Sequence, residues 1–296
     1  MARRVLIVGG TRFIGAHVAR QMFDAGADVT VFHRGATDNP VLPAVTHIRD
    51  ASAEYPIRAF PDAVRRQDWD AVVAMVTMGE ADARAAVNCF AGRTGRLVLI
   101  SSGDVYRAYG RLTGHEPGAP DPVPLTEEAP LRGALYPYRA QAAALGAYAH
   151  DYEKILAETV VRAAVLPSTI LRLPKVYGAE DNAGLATVYG FASQPHWRWT
   201  HGHVANVAAA IVLAATHPAA AGRTYNIGEA ATPTMGERLA RLPPRAGIGA
   251  APPFDYRQDM QVDTGRIREE LGFTEQIDEI AAMRDLARKS REGRPS

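Results

Sequence analysis

No stretch constrains the fold more than Arg4-Val5-Leu6-Ile7-Val8-Gly9-Gly10-Thr11-Arg12-Phe13-Ile14-Gly15. Val5 to Val8 form an apolar run without alternation, the pattern of a strand buried on both faces. Gly9 and Gly10 permit turns and close approaches that a Cβ would obstruct. Ile14, Val18, Met22 and Phe23 then recur at helical spacing, and Gly26 offers a stop. Strand, glycine turn and helix in that order aim free backbone N–H groups and the positive end of a helix at one point, where a pyrophosphate fits. Gly9, Thr11, Arg12, Phe13, Ile14 and Gly15 are the residues expected around it. Arg12 stands where the usual glycine-rich turn has its middle glycine.

The rest of the first half repeats the strand-then-helix rhythm. Residues 28–35 read as a second strand that ends in His33 and Arg34, with no carboxylate. In a dinucleotide fold an acidic residue here accepts from the ribose 2′-hydroxyl, whereas an arginine suits a 2′-phosphate. Arg34, with Arg12 nearby, therefore favours NADP over NAD; the plainer alternative is that Arg34 opens a polar loop. Residues 45–50 form a short third strand, with Asp50 placed to accept from an adenine amino group or simply to hold a turn. Residues 69–76 and 96–100 are further buried strands, followed by Thr77 and by Ser101-Ser102-Gly103-Asp104-Val105-Tyr106. Alternating buried strands and helices imply an α/β fold, a Rossmann-type doubly wound parallel sheet. Its ligands lie beyond the carboxyl ends of the strands, where Gly9 to Gly15, Arg34, Asp50, Thr77 and Ser101–Ser102 all fall.

Composition narrows the function classes. A net charge of +1 over 296 residues supplies no field for nucleic acid or for an acidic membrane surface. The one cysteine, Cys89, excludes an intramolecular disulfide and a cysteine metal cluster, and fits a reducing cytoplasm. Residues 107–137 are rich in proline and too long for a simple connection, as functional loops are. Residues 140–161 read as one long Ala-rich helix carrying Tyr148, His150, Tyr152, Lys154 and Glu158. Residues 168–173 form a sixth strand. From about 180 the chain turns aromatic and histidine-rich. The expected division is a dinucleotide-binding domain over 1–178 and a smaller C-terminal substrate lobe over 179–296, with helix 204–215 and strand 223–228 returning to the main domain.

Taken together, GGTRFIG at 9–15, LISSGDVY at 99–106, the Lys154/Glu158 helix, ILRLPKVYG at 170–178 and GRTYNIG at 222–228 resemble the extended short-chain dehydrogenase/reductase family, also called the NAD-dependent epimerase/dehydratase family. The motifs span nearly the whole chain in the family's order, in a branch with arginine in the glycine turn. The resemblance implies NAD(P) binding and hydride transfer on a small hydroxyl or carbonyl substrate, such as a sugar derivative or secondary metabolite. It implies that Ser102 holds the substrate oxygen and that Lys154, one of three lysines, binds the nicotinamide ribose. By analogy it also implies a homodimer through long helices such as 140–161.

The family's tyrosine, four residues before the lysine, is replaced by His150. On one continuous helix His150 would share the face of Lys154, whereas Tyr152 would point about 200° away. Three readings stay open. His150 is the acid/base; or a tyrosine such as Tyr136, Tyr138 or Tyr106 reaches in; or proton transfer is lost and the protein is a non-catalytic NADP-binding sensor or interaction protein. His201 and His203 alternate on one extended face, but no partner at metal-ligand spacing accompanies them, so no metal is expected.

Overall fold

The computed structural model describes residues 2–35, 39, 41–50, 55–245 and 250–292. Nine strands run through them: β1 (Arg4–Val8), β2 (Asp28–His33), β3 (Thr46–Arg49), β4 (Ala71–Ala74), β5 (Leu97–Ser102), β6 (Ser168–Leu173), β7 (Lys175–Tyr177), β8 (His201–His203) and β9 (Arg223–Asn226). Seven form one parallel sheet in the order β3-β2-β1-β4-β5-β6-β9. The chain works outward from β1 to β3, crosses back to β4, and works outward the other way. That reversal between β1 and β4 opens a crevice at their carboxyl ends.

The continuous apolar runs are explained by helices on both faces. Val5, Leu6 and Ile7 are wholly buried, and their neighbours alternate between two cores. Val5 and Ile7 join Val18, Met22, Val207 and Ile211, from helices Phe13–Asp24 and Val204–Thr216. Leu6 and Val8 join Ala83, Phe90, Ala157 and Val161, from helices Glu80–Phe90 and Lys154–Ala163. A third core lies over the carboxyl side. It unites Tyr106 and Leu112 with Tyr189, Trp197, Met235 and Met283. Trp197 donates its indole N–H to the Gln258 carbonyl (2.8 Å), so it is a core residue. β7 and β8 pair as a separate two-stranded sheet. No helix among the described residues is long and apolar enough to cross a membrane.

Two segments depart from the sequence reading. The proline-rich stretch contains helix Arg107–Thr113, closed by Gly114 in the left-handed region at φ 75°. The supposed long helix of residues 140–161 is broken. A 3₁₀ turn (Arg139–Gln141), a one-turn helix (Ala142–Leu145) and a second 3₁₀ turn (Ala147–His150) precede the true helix, which begins at Lys154. Gly146, at φ 104°, makes the break. Glu153 is extended and caps the new helix, its carboxylate accepting from the Ile155 N–H at 3.0 Å. The Glu153 N–H is itself committed to the Met78 carbonyl (2.9 Å), which ties this segment to the end of β4.

Candidate active site

The crevice at the sheet reversal is a cavity of about 510 Å³. Gly9, Thr11, Arg12, Phe13, Ile14 and Gly15 line it, with His33 ending β2, Arg34 and Gly35 just past it, and Met75 and Val76 beyond β4. The glycines are sterically required. A Cβ on Gly9 would lie 2.2 Å from a Val76 methyl, and one on Gly15 would lie 2.8 Å from the Gly10 Cα and the Gly9 carbonyl oxygen. Helix Phe13–Asp24 starts at Arg12 without a side-chain cap and without an acidic residue in its first turn. Its N-terminal donors are therefore left to a ligand anion. Glycine cradle, uncapped helix and two arginines together fit a nicotinamide dinucleotide.

His33 plays a different part from Arg34. Its Nδ1 accepts the Gly35 N–H (3.0 Å), so its Nε2 carries the proton and donates to His47 Nδ1 (2.8 Å). Burial, with His47 next, pushes its pKa down, which keeps the ring neutral. His33 shapes the loop, and Arg12 and Arg34 supply the charge. Asp50 donates its backbone N–H to the His33 carbonyl (3.0 Å) and is not among the cavity's lining residues.

Around the carboxyl end of β5 lies a second group of polar side chains. Lys154 is buried, and its Nζ donates to the carbonyls of Thr77 (2.5 Å) and Ile100 (2.9 Å). Thr77 thus contributes its main chain, directly after Val76 of the cavity wall. Burial lowers the Lys154 pKa to about 8 against the opposing pull of Asp104, Asp82 and Glu158. Ser102 closes β5 and caps the turn Gly103–Val105, its Oγ accepting from the Asp104 N–H (3.3 Å). The Tyr152 phenol donates to Asp104 Oδ2 (2.8 Å), and Ser102 lies close enough to favour its ionised form. The Lys154 Nζ stands 5.6 Å from the centre of the Tyr152 ring.

This arrangement corrects the sequence reading at several residues. On a continuous helix Tyr152 would point away from Lys154, but it precedes the helix and turns inward beside Ser102. His150 is on a 3₁₀ turn away from the Lys154 face; its side chain is 62% exposed and paired with Asp151 at 2.8 Å. Tyr136 sits under the Arg139 guanidinium (3.6 Å) rather than at Ser102. Tyr136 and His150 instead line an adjoining cavity of about 720 Å³, which shares Tyr55 with the first, together with Arg58, Gly79 and Tyr148. Ser101 does not face the dinucleotide cleft, because its hydroxyl donates to Glu158 Oε1 (2.6 Å). Tyr106 is likewise structural: its hydroxyl donates to Asn226 (2.6 Å) and accepts from Arg172 (3.0 Å). The sequence reading did not place Tyr152 and Asp104 beside Ser102 and Lys154. Gly146, Asp151 and a capping Glu153 just ahead of Lys154 were the signals of a late helix start.

A profile of the NAD dependent epimerase/dehydratase family matches residues 5–228. The chain belongs to this family. It is thus an enzyme of the NAD-dependent epimerase/dehydratase kind. No curated protein matches it significantly in sequence. Several solved structures share its fold. MoeE5, in complex with UDP-glucuronic acid and NAD, is 20% identical at a TM-score of 0.67, covering 97% of this chain and 99% of that one. A short-chain dehydrogenase/reductase superfamily protein from Agrobacterium tumefaciens with bound NAD is 18% identical at 0.66, covering 97% of each chain. A UDP-glucose 4-epimerase from Thermotoga maritima with UDP-glucose is 15% identical at 0.65, covering 97% and 98%.

Proposed function

We propose that this enzyme is an NADP-dependent oxidoreductase or epimerase that works on a small hydroxyl or carbonyl compound, a sugar derivative or secondary metabolite. The observation that carries the reading is the gathering of Ser102, Tyr152 and Lys154 between the ends of β4 and β5, next to the dinucleotide cradle. A bound nicotinamide dinucleotide supplies the hydride acceptor or donor. The Phe13 and Ile14 N–H groups would receive its pyrophosphate, Gly9 and Gly15, whose own N–H groups are donated to the Phe32 and Arg12 carbonyls, would give it room, and Arg12 and Arg34 would hold the 2′-phosphate. The protein's own task is then the proton and the orientation of the reacting oxygen. The Ser102 hydroxyl orients that oxygen, and the Tyr152 phenol exchanges its proton. Lys154 braces the two strand ends through Thr77 and Ile100, and its remaining N–H would serve the nicotinamide ribose. The non-catalytic alternative rested on the lack of a phenol at the site, and Tyr152 removes that ground. The ligands named for MoeE5 and the Thermotoga enzyme make UDP-sugars the first compounds to try.

Fluorescence titration with NADPH and NADH, followed by a screen of UDP-glucose, UDP-glucuronic acid, unactivated sugars and simple ketones, tests the reading. NADPH binds more tightly than NADH, and Arg34→Ala erases the difference. Equal affinities in the wild type would remove the NADP assignment, and no binding of either would remove the whole proposal.

A further inference from the structure

Behind Ser102 the site continues into a buried set of hydroxyls gathered on one carboxylate. Asp104 Oδ2 accepts from Tyr152 (2.8 Å) and from Tyr138 (2.9 Å). Tyr138 spends its one proton on Asp104, so the Tyr109 hydroxyl, 3.0 Å away, donates to Tyr138. Asp104 is 6% exposed, and its Oδ1 has no hydrogen-bond partner among the described residues. The cations around it are engaged elsewhere. Arg132 donates to the Asp104 main-chain oxygen (2.5 Å), to the Ala134 carbonyl (2.5 Å) and to the buried Glu153 (3.1 Å). Lys154 holds two carbonyls. A buried carboxylate is thus solvated by phenols alone, with one of them at the reacting position.

We propose that Asp104 is the proton acceptor of Tyr152. As Tyr152 takes the proton of a substrate hydroxyl, its own phenolic proton passes along the 2.8 Å hydrogen bond to Asp104 Oδ2. The substrate O–H and the old phenolic O–H break, a new phenolic O–H and a carboxylic O–H form, and a bound dinucleotide would supply the acceptor for the carbinol hydride. Reduction runs the same path backwards. Asp104 touches no substrate; it is a relay residue acting through Tyr152, and this rests on Tyr152 being the acid/base of the site. Burial and the Asp104 charge hold the Tyr152 phenol well above its ordinary range, against a smaller opposing effect of Ser102. A standing phenolate is therefore costly, and handing the proton on avoids it. Burial raises the Asp104 carboxyl too, opposed by Arg132, Tyr152, Tyr138 and Lys154, which brings its basicity toward that of a working proton acceptor.

The dinucleotide-free protein provides the first test, by thermal unfolding of wild type and Asp104→Asn across pH. With the folded carboxyl raised, the folded state keeps a proton that the unfolded chain has lost. Wild type then loses stability relative to Asp104→Asn as pH climbs from about 4, and the difference levels off once the folded carboxyl has ionised. Tyr152→Phe removes a donor and moves that levelling point to higher pH; should Asp104→Asn fail to fold, Tyr152→Phe is compared directly with wild type and goes on losing stability over the pH range in which wild type has already levelled off. A difference that does not vary with pH, or a levelling point unmoved by Tyr152→Phe, overturns the proposal. On any substrate that is turned over, Asp104→Asn lowers kcat about tenfold or more, flattens its pH profile and leaves dinucleotide affinity unchanged; an unaltered kcat also overturns it. Failure of the wild type to bind a dinucleotide counts against the functional reading, while the unfolding measurement still decides the Asp104–Tyr152 coupling.

Discussion

Gly15 has the least freedom of any residue in the first turn. A Cβ there would press on the Gly10 Cα and the Gly9 carbonyl oxygen, both 2.8 Å away and both main chain. Flexible side chains can swing aside, but these atoms belong to the cradle itself. Gly15→Ala therefore costs about 1–3 kcal/mol, the usual penalty for overpacking, and distorts the turn proposed to receive the pyrophosphate. Urea unfolding and NADPH titration check both effects; wild-type values in both would show that the cradle yields. Gly26 is the control, because nothing lies within 4 Å of a Cβ there, although its φ of 81° still favours glycine. The same residue-scale reasoning separates His33 from Arg34. Both stand at the basic end of β2, and a single tautomer, fixed by the Gly35 N–H, makes His33 a loop support and leaves Arg34 as the cation.

At the scale of elements, helix Lys154–Ala163 is pinned to β5 and β6 by one buried carboxylate. Glu158 accepts from Ser101 (2.6 Å), from Arg172 at 3.0 and 2.8 Å, and from Arg162 (2.7 Å). These partners hold its carboxyl below the ordinary range despite burial. Its contribution is therefore present above the ordinary carboxylate pKa and is lost as pH falls through the folded one. Glu158→Ala leaves the Arg172 charge, 2% exposed, without its counter-ion and costs about 3–5 kcal/mol. Arg162→Ala removes a partner that is 42% exposed and costs under about 1 kcal/mol. Equal effects in denaturant unfolding at neutral pH would mean that Glu158 is not the anchor. The elements also mark how far the sequence was readable. Strands buried on both faces leave an apolar run that only a parallel sheet explains, so the sheet and its ligand edge were legible. Residues 136–153 were not, because their alanines carry helix propensity while Gly146 and the Glu153–Met78 hydrogen bond impose another path. The acid/base position proposed for Tyr152 is hidden with that segment, because on a continuous helix Tyr152 would point away from Lys154, whereas the helix starts only at Lys154.

For the whole molecule, the joint between the sheet edge and the C-terminal segment depends on Glu229, just beyond β9. Its carboxylate accepts the His203 N–H (2.9 Å) and the Asn206 amide (3.2 Å) at the start of helix Val204–Thr216. Asn206 in turn binds the N–H groups of Gln276 and Ile277 (3.0 Å each), so one group links the sheet edge, that helix and the C-terminal segment. Burial lifts the Glu229 carboxyl from its ordinary 4.5 to about 7, against the His203 and Asn206 hydrogen bonds and with Glu275 and Glu279 adding to the rise. The folded state thus holds a proton that the unfolded chain gives up at lower pH. Stability is fully present below the unfolded value, falls as pH rises toward about 7, and is flat above it. At about 1.4 kcal/mol per pKa unit the whole effect is about 3 kcal/mol. Glu229→Gln keeps the shape and an acceptor oxygen but cannot ionise. Its unfolding free energy relative to wild type should therefore climb between pH 4.5 and about 7 and then stay level. A relative stability that is constant over that interval would show that Glu229 is already ionised in the folded protein, and that the joint does not depend on its proton.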